Sequence, residues 1–217
     1  MRALAVTPIH LPVEEIARRQ ARYDRLAPPG LRIELRDVGS SAPGALDTED
    51  GIRASEREVA TVLEREAGAG FDVAFPDCVL DPAVPDGVAA AGRTPVLGLL
   101  KLSAMHLAAT GVRFGAVVRN EAIGDELARR LTAYGLDPYV AGVTVMDLPF
   151  DAIADTGAWN AALGGAVREL AGRGATAVIN GCSAVDVEPA DLPARIVDPT
   201  ALALRLMVAE HEAGEAA

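Results

Sequence analysis

Phe71-Asp-Val-Ala-Phe-Pro-Asp-Cys78 and Ala175-Thr-Ala-Val-Ile-Asn-Gly-Cys182 decide how this chain of 217 residues is read. Each is a short apolar run that closes on a cysteine, and the chain has no other cysteine. Such runs recur along the sequence and alternate with stretches of helical periodicity, the pattern of parallel sheets covered by helices. Strands are predicted at Ala3 to Thr7, Arg32 to Arg36, Asp72 to Phe75 and Val96 to Leu99. Four more follow at Phe114 to Val118, Pro138 to Ala141, Thr176 to Ile179 and Arg195 to Val197. Helices are predicted over Val13 to Leu26, Gly51 to Ala67, Pro82 to Ala91, Ser103 to Thr110, Glu121 to Tyr134 and Asp155 to Arg173, and from Thr200 to about Ala213. Gly135 and Gly174 stand in helix-stop positions.

The two sets of strands repeat at nearly constant spacing. Cys78 and Cys182 are 104 residues apart, as are Asp72 and Thr176, while Ala3 and Phe114 are 111 apart. This is a repeat of architecture rather than of residue identity. The fold expected is α/β, with two pseudo-symmetric lobes, each a four-stranded, mainly parallel sheet flanked by helices, and a cleft between them. Residues 1–99 with the C-terminal helix 200–217 form the lobe that carries Cys78; residues 100–199 form the lobe that carries Cys182. No low-complexity linker separates them, so they are read as one folding unit. Gly39-Ser-Ser-Ala-Pro-Gly44 is a candidate loop near the ligand edge of the first lobe.

Composition narrows the function. Half of the residues are apolar, enough for a sizeable core, and no window approaches 18 uninterrupted apolar residues, because Lys101 and His106 interrupt the best candidate. A formal charge of -11 opposes phosphate backbones and anionic membrane surfaces, so neither nucleic acid nor membrane is an expected partner. A small-molecule substrate is expected, with homo-oligomerisation left open. Nothing in Met1-Arg-Ala-Leu-Ala-Val-Thr-Pro8 has the form of a secretory signal, so a cytoplasmic location with reduced thiols is expected. His10, His106 and His211 are too scattered to build a metal site with the two cysteines. Lys101, the single lysine, lacks the setting of a pyridoxal phosphate Schiff base, and no cofactor is expected.

Residues at the carboxyl ends of parallel strands face the crevice where open α/β sheets bind ligands. Taken singly, either cysteine reads equally well as a small core residue. Taken together, in matching places, Cys78 and Cys182 read as two thiols facing one another across one cleft. A thiolate is the competent base, and a helix amino terminus favours it; Asp81-Pro82 fits such a start after Cys78, with Asp81 as cap. One thiolate removes a proton from a carbon beside a carbonyl, and the opposite thiol returns one to the other face. Backbone N–H groups following each cysteine, at Val79 and beyond Gly181 at Ser183, and the Ser183 hydroxyl are candidate donors to the enolate-like intermediate; Ser183 reads equally well as a local cap. Thr7 and His10 end the first strand near the expected cleft, and Arg119 and Asn120 follow the fifth. Arg119 suits a bidentate grip on a substrate carboxylate, against a plain role as a loop arginine. His106, Trp159 and Tyr134 read as structural.

Phe75-Pro-Asp-Cys-Val-Leu-Asp-Pro82, Pro95-Val-Leu-Gly98, Ser103-Ala-Met-His-Leu-Ala-Ala109, Gly111-Val-Arg-Phe-Gly-Ala-Val-Val118, Asn180-Gly-Cys-Ser183 and Ile196-Val-Asp-Pro199 together resemble the aspartate/glutamate racemase superfamily, nearest to its hydantoin racemase branch. The resemblance implies a cofactor-independent racemase or epimerase of two pseudo-symmetric lobes, acting on an amino acid, a hydantoin or a related small acid, with Cys78 and Cys182 as the acid-base pair. It equally admits the superfamily's maleate-type cis-trans isomerases or another carbanion or enolate reaction on the same scaffold, although retention of both cysteines argues against its arylmalonate decarboxylases; a binding protein that keeps the cleft without turnover is a further alternative. Four departures fall where substrate would sit, one of them Lys101 or Leu102 in place of an acidic residue common before the helix that bears His106. Thr7-Pro8-Ile9 replaces an Asn-Pro-Asn motif, Arg119-Asn120 stands where hydroxyl residues are usual, and Gly181-Cys-Ser-Ala184 replaces Gly-Cys-Ala-Gly.

Overall fold

The computed structural model describes residues 1–85, 93–188 and 190–215. Two all-parallel sheets organise it. The first has the order β2-β1-β3, from β1 (Arg2–Val6), β2 (Arg32–Arg36) and β3 (Val73–Pro76). The second has the order β5-β4-β6-β7, from β4 (Phe114–Val118), β5 (Val140–Val145), β6 (Ala177–Asn180) and β7 (Arg195–Val197). β1, β3, β4 and β6 are apolar throughout or nearly so, because helices cover both faces of a parallel sheet.

The helices are α1 (Val13–Leu26), α2 (Glu49–Glu66), α3 (Leu99–Ala109), α4 (Glu121–Ala133), α5 (Thr156–Gly172) and α6 (Pro199–Glu215). Local chemistry fixes their starts. Thr48, Asn120 and Asp155 each accept a backbone N–H of the first turn of α2, α4 and α5. α3 joins the two halves. Its Leu99 packs with Ala3, Phe75 and the α6 residues Ala203, Leu204 and Met207, whereas Leu100, Ala104 and Leu107 pack with Phe114, Ala116, Ala177 and Ile179 of the second sheet. No described helix is long and apolar enough to cross a membrane.

Among the described residues the first sheet has three strands, where the sequence predicts four. Val96 contributes only a single parallel bridge to Ala74, because the chain turns into α3 at Leu99. Asp81 explains that turn. It does cap a helix, but not the one expected at Pro82: its carboxylate accepts the amides of Leu100 (3.0 Å) and Lys101 (2.7 Å) at the start of α3. Asp81 and Ala83 have φ of 49° and 62°, so Asp81-Pro82-Ala83 is a turn and no helix starts there. The rest of the expected helix, 86–91, lies outside the described residues. Asp81 is buried beneath Tyr134, whose hydroxyl donates to it at 3.0 Å, and burial pushes its carboxyl up to about 6. Gly98 allows this arrangement, since a Cβ there would stand 2.3 Å from an Asp81 oxygen. The strand expected at Pro138 to Ala141 begins later, at Val140, because Asp137-Pro138-Tyr139 forms a 3-10 turn.

Candidate active site

β3 ends at Pro76 and β6 at Asn180, so Cys78 and Cys182 lie just past the carboxyl ends of corresponding strands in the two sheets. Both line one cavity of about 60 Å³, together with Pro8, Ile9, Leu46, Val79 and Arg119 among others. Cys78 is buried and Cys182 partly exposed, and neither is in a disulfide.

Each thiol is held by its own turn. The Leu80 amide points at the Cys78 sulfur at 3.4 Å. Asn180, itself held by the indole N–H of Trp159 at 2.9 Å, donates to the Cys182 carbonyl at 3.0 Å. Trp159 therefore orients the turn that carries Cys182 as well as filling the core. Gly181 lets that turn sit against β4: a Cβ would stand 2.2 Å from the Val117 carbonyl oxygen and 2.8 Å from a Val118 methyl. A backbone carbonyl of a central strand has nowhere to go. Gly181→Ala is expected to cost about 3 kcal/mol of stability, at the upper end of the usual range for overpacking. Thermal denaturation checks this, and an unchanged melting temperature refutes it.

The two thiols differ in electrostatic setting. Burial pushes the Cys78 thiol up to about 12, and the carboxylates of Asp77 and Asp81 act in the same direction against the Leu80 amide. Burial also raises Cys182, with Asp77 acting in the same direction, but there the Ala184 amide and the Arg19 and Arg22 guanidinium groups oppose it. Cys182 is thus the better placed of the two to carry a thiolate, and Cys78 to remain a thiol.

Arg19 of α1 belongs to the site and has no local sequence signature. Its guanidinium lines the cavity, 5 % exposed, and donates to Asp77 (3.0 Å) and Glu15 (2.8 Å). Asp77, immediately before Cys78, is buried and also accepts the Tyr23 hydroxyl at 2.7 Å. The Ser183 hydroxyl, just past Cys182, donates to the Asp77 carbonyl at 2.9 Å and so ties one cysteine turn to the other. Two further arginines of α1 hold the segment that follows Cys182. Arg18 donates to the Ala184 carbonyl and Arg22 to the Val185 carbonyl, each at 3.2 Å, and Arg22 also pairs with Asp186 and Asp198.

Of the residues expected to meet substrate, Val79, Arg119, Gly181 and Ser183 line the cavity with the cysteines. Thr7, His10 and Asn120 are not in its lining. Thr7 and His10 instead bind Asp37, which accepts Thr7 Oγ1 at 3.2 Å and lies 2.7 Å from His10 Nδ1; this anchors the start of the loop that begins at Gly39. Asn120 caps α4 through the Ile123 amide and reaches back to Asp47. Arg119 is buried rather than a loop arginine in solvent, with its guanidinium 5.6 Å over the Phe150 ring. Among the described residues no group of three or more His, Cys, Asp or Glu could hold a metal ion.

The model of the family described as Asp/Glu/Hydantoin racemase matches residues 14–207. No curated protein matches the chain significantly. Similar solved structures include the allantoin racemase from Klebsiella pneumoniae, with 20% identity over 99% of this chain and 89% of that one and a TM-score of 0.78. The allantoin racemase AllR from Pseudomonas fluorescens has 15% identity, coverage of 99% and 92%, and a TM-score of 0.81. A variant of the maleate isomerase Iso from Pseudomonas putida S16, solved with maleate, has 13% identity, coverage of 97% and 92%, and a TM-score of 0.60. At these identities the structural likeness establishes the fold.

Proposed function

Because the chain belongs to the Asp/Glu/hydantoin racemase family, and is on that ground an isomerase, we propose that it racemises or epimerises a small acid, amino acid or hydantoin at the carbon beside a carbonyl, through Cys78 and Cys182. The observation that carries this reading is that both thiols line one cavity, each just past the end of a corresponding strand. A bound α-carbon between them meets a base on one face and an acid on the other. Cys182, beside Arg19, serves as the resting base, and Cys78, among carboxylates, as the resting acid. Proton removal gives a planar enolate. Cys78 protonates its opposite face, and the roles then reverse for the other enantiomer. Positioned acid-base transfer supplies about 10²–10⁴-fold, so the intermediate also needs donors aimed at its oxygen. With the Ser183 proton engaged at Asp77, the backbone amides after the cysteines supply them.

The test is exchange of the substrate Cα–H with solvent deuterium over a panel of amino acids, N-carbamoyl acids, hydantoins and allantoin, with maleate as a separate substrate. Racemisation with exchange is expected. Turnover of maleate alone identifies a cis-trans isomerase, and binding without turnover identifies a binding protein; either result refutes the racemase reading.

A pH dependence follows from the thiols. The active pair is one thiolate and one thiol, and burial holds both above the ordinary thiol value. The ionised fraction therefore rises about tenfold per pH unit below the lower of the two values. kcat/KM is expected to climb with a slope near one from pH 6.5 to 8.5 without a plateau, for a substrate that does not itself titrate there. A flat profile over that range contradicts thiol bases.

A further inference from the structure

Arg119 carries a second message about the cavity. Its Nη2 pairs with Asp47 and its Nη1 donates to the Leu148 carbonyl at 3.3 Å, but its buried Nε has no hydrogen-bond partner among the described residues. Asp47 comes from the opposite half of the molecule, in the segment before α2, and its side chain is half exposed. One oxygen, Oδ1, serves both Arg119 Nη2 and Asn120 Nδ2. Asn120 also holds the carbonyl of Leu46, which lines the cavity. A carboxylate of the protein thus sits one-handed on a guanidinium at the rim of the thiol cavity, leaving half of the Nε/Nη2 fork unused.

Arg119 lines the thiol cavity, so its guanidinium is within reach of a ligand bound beside the cysteines. A ligand carboxylate that reaches this guanidinium competes with Asp47, whose side chain is the exposed partner of the pair. An incoming carboxylate that takes Nε and Nη2 together makes the stronger bidentate pair. It also replaces one negative charge by another, so the buried guanidinium is never left unpaired. A neutral ring offers no such exchange.

We propose that Arg119 is the receptor for a carboxylate of the substrate and that Asp47 occupies it in the free enzyme, so that the substrate class is an open-chain acid, an α-amino or N-carbamoyl acid, rather than a neutral hydantoin. This rests on the racemase reading for the placement of substrate at the thiols, but its test needs no turnover. Isothermal titration is carried out with matched pairs, an N-carbamoyl acid and the hydantoin formed by closing it, carrying methyl, isobutyl or benzyl side chains, and with the free amino acids. The carboxylates are expected to bind at least tenfold more tightly than the matched rings. Arg119→Ala weakens carboxylate binding at least tenfold and leaves ring binding within twofold, with Arg119→Lys intermediate. Asp47→Ala, which removes the internal competitor, tightens carboxylates several-fold and leaves the rings unchanged. Rings binding as well as acids, no carboxylate binding at all, or insensitivity of acid binding to Arg119 in a variant that melts like the parent each overturn the proposal. Arg119-dependent acid binding without deuterium exchange supports it while refuting racemisation.

Discussion

Cys78→Ala and Cys182→Ala are each expected to reduce racemisation by about 10³-fold or more, within the range that positioned proton transfer supplies. Exchange separates the two variants in a way that a general loss of structure does not. With Cys78 gone, Cys182 still removes and returns a proton on its own face, so one enantiomer exchanges deuterium with retention while the other is inert. With Cys182 gone, the pattern inverts. Chiral chromatography with mass detection reads both quantities from one incubation. The complementary pattern requires thiols on opposite faces of one carbon, which is why their shared cavity matters. If both variants lose exchange of the same enantiomer, or either racemises within tenfold of the parent, the paired mechanism is wrong. Both side chains are small, and Cys182 is partly exposed, so the folded state tolerates the changes.

How much of this is legible in the sequence depends on how local the cause is. The strands that deliver the thiols are readable because four to five apolar residues in a parallel sheet need no distant partner to look like a strand. α1 is readable to the residue, since Pro12 precedes it, Glu14 and Glu15 occupy its first turn, and Ala27-Pro28-Pro29-Gly30 ends it. Val96 to Leu99 misleads because an apolar run is ambiguous between a strand and a helix start, and Asp81, which settles it, lies 18 residues before α3. The strand β5 reads early because Pro138 and Tyr139 suit a strand edge as well as a turn. Arg19 escapes a sequence reading for the same reason of distance. Among Arg18, Arg22 and Arg25 it reads as one more solvated charge, and its partner is 58 positions away. One signal is available: Asp77 interrupts a buried apolar run beside a cysteine, and an acid in that place demands a cation or a proton. Thr7 and His10 do lie at a strand end but serve Asp37, a contact no spacing rule anticipates.

Arg19 and Asp77 give the other large effect. Both are buried, at 5 % and 1 % exposure, and Asp77 without Arg19 is an uncompensated charge beside the thiols, whereas Arg19 without Asp77 keeps Glu15. Arg19→Gln and Asp77→Asn are each expected to destabilise the fold, Arg19→Gln by about 3–5 kcal/mol and Asp77→Asn by less, because the amide keeps an acceptor for Tyr23 and Glu15 still pairs with Arg19. Stability alone does not distinguish a structural pair from one that tunes the chemistry. Thiol reactivity does, because the two charges act on Cys182 with opposite sign: Arg19 favours its thiolate and Asp77 opposes it. In a Cys78→Ser background at pH 8, iodoacetamide is expected to alkylate Cys182 about tenfold more slowly with Arg19→Gln, a change equivalent to about one pKa unit, and faster with Asp77→Asn. Measurements belong well below each variant's melting temperature, since an unfolded thiol reacts freely. A merely structural pair would loosen the site in both variants and speed both reactions. Opposite shifts from two destabilising substitutions require charge acting on sulfur, and parallel shifts would reduce Arg19 to a brace between α1 and the Cys78 turn.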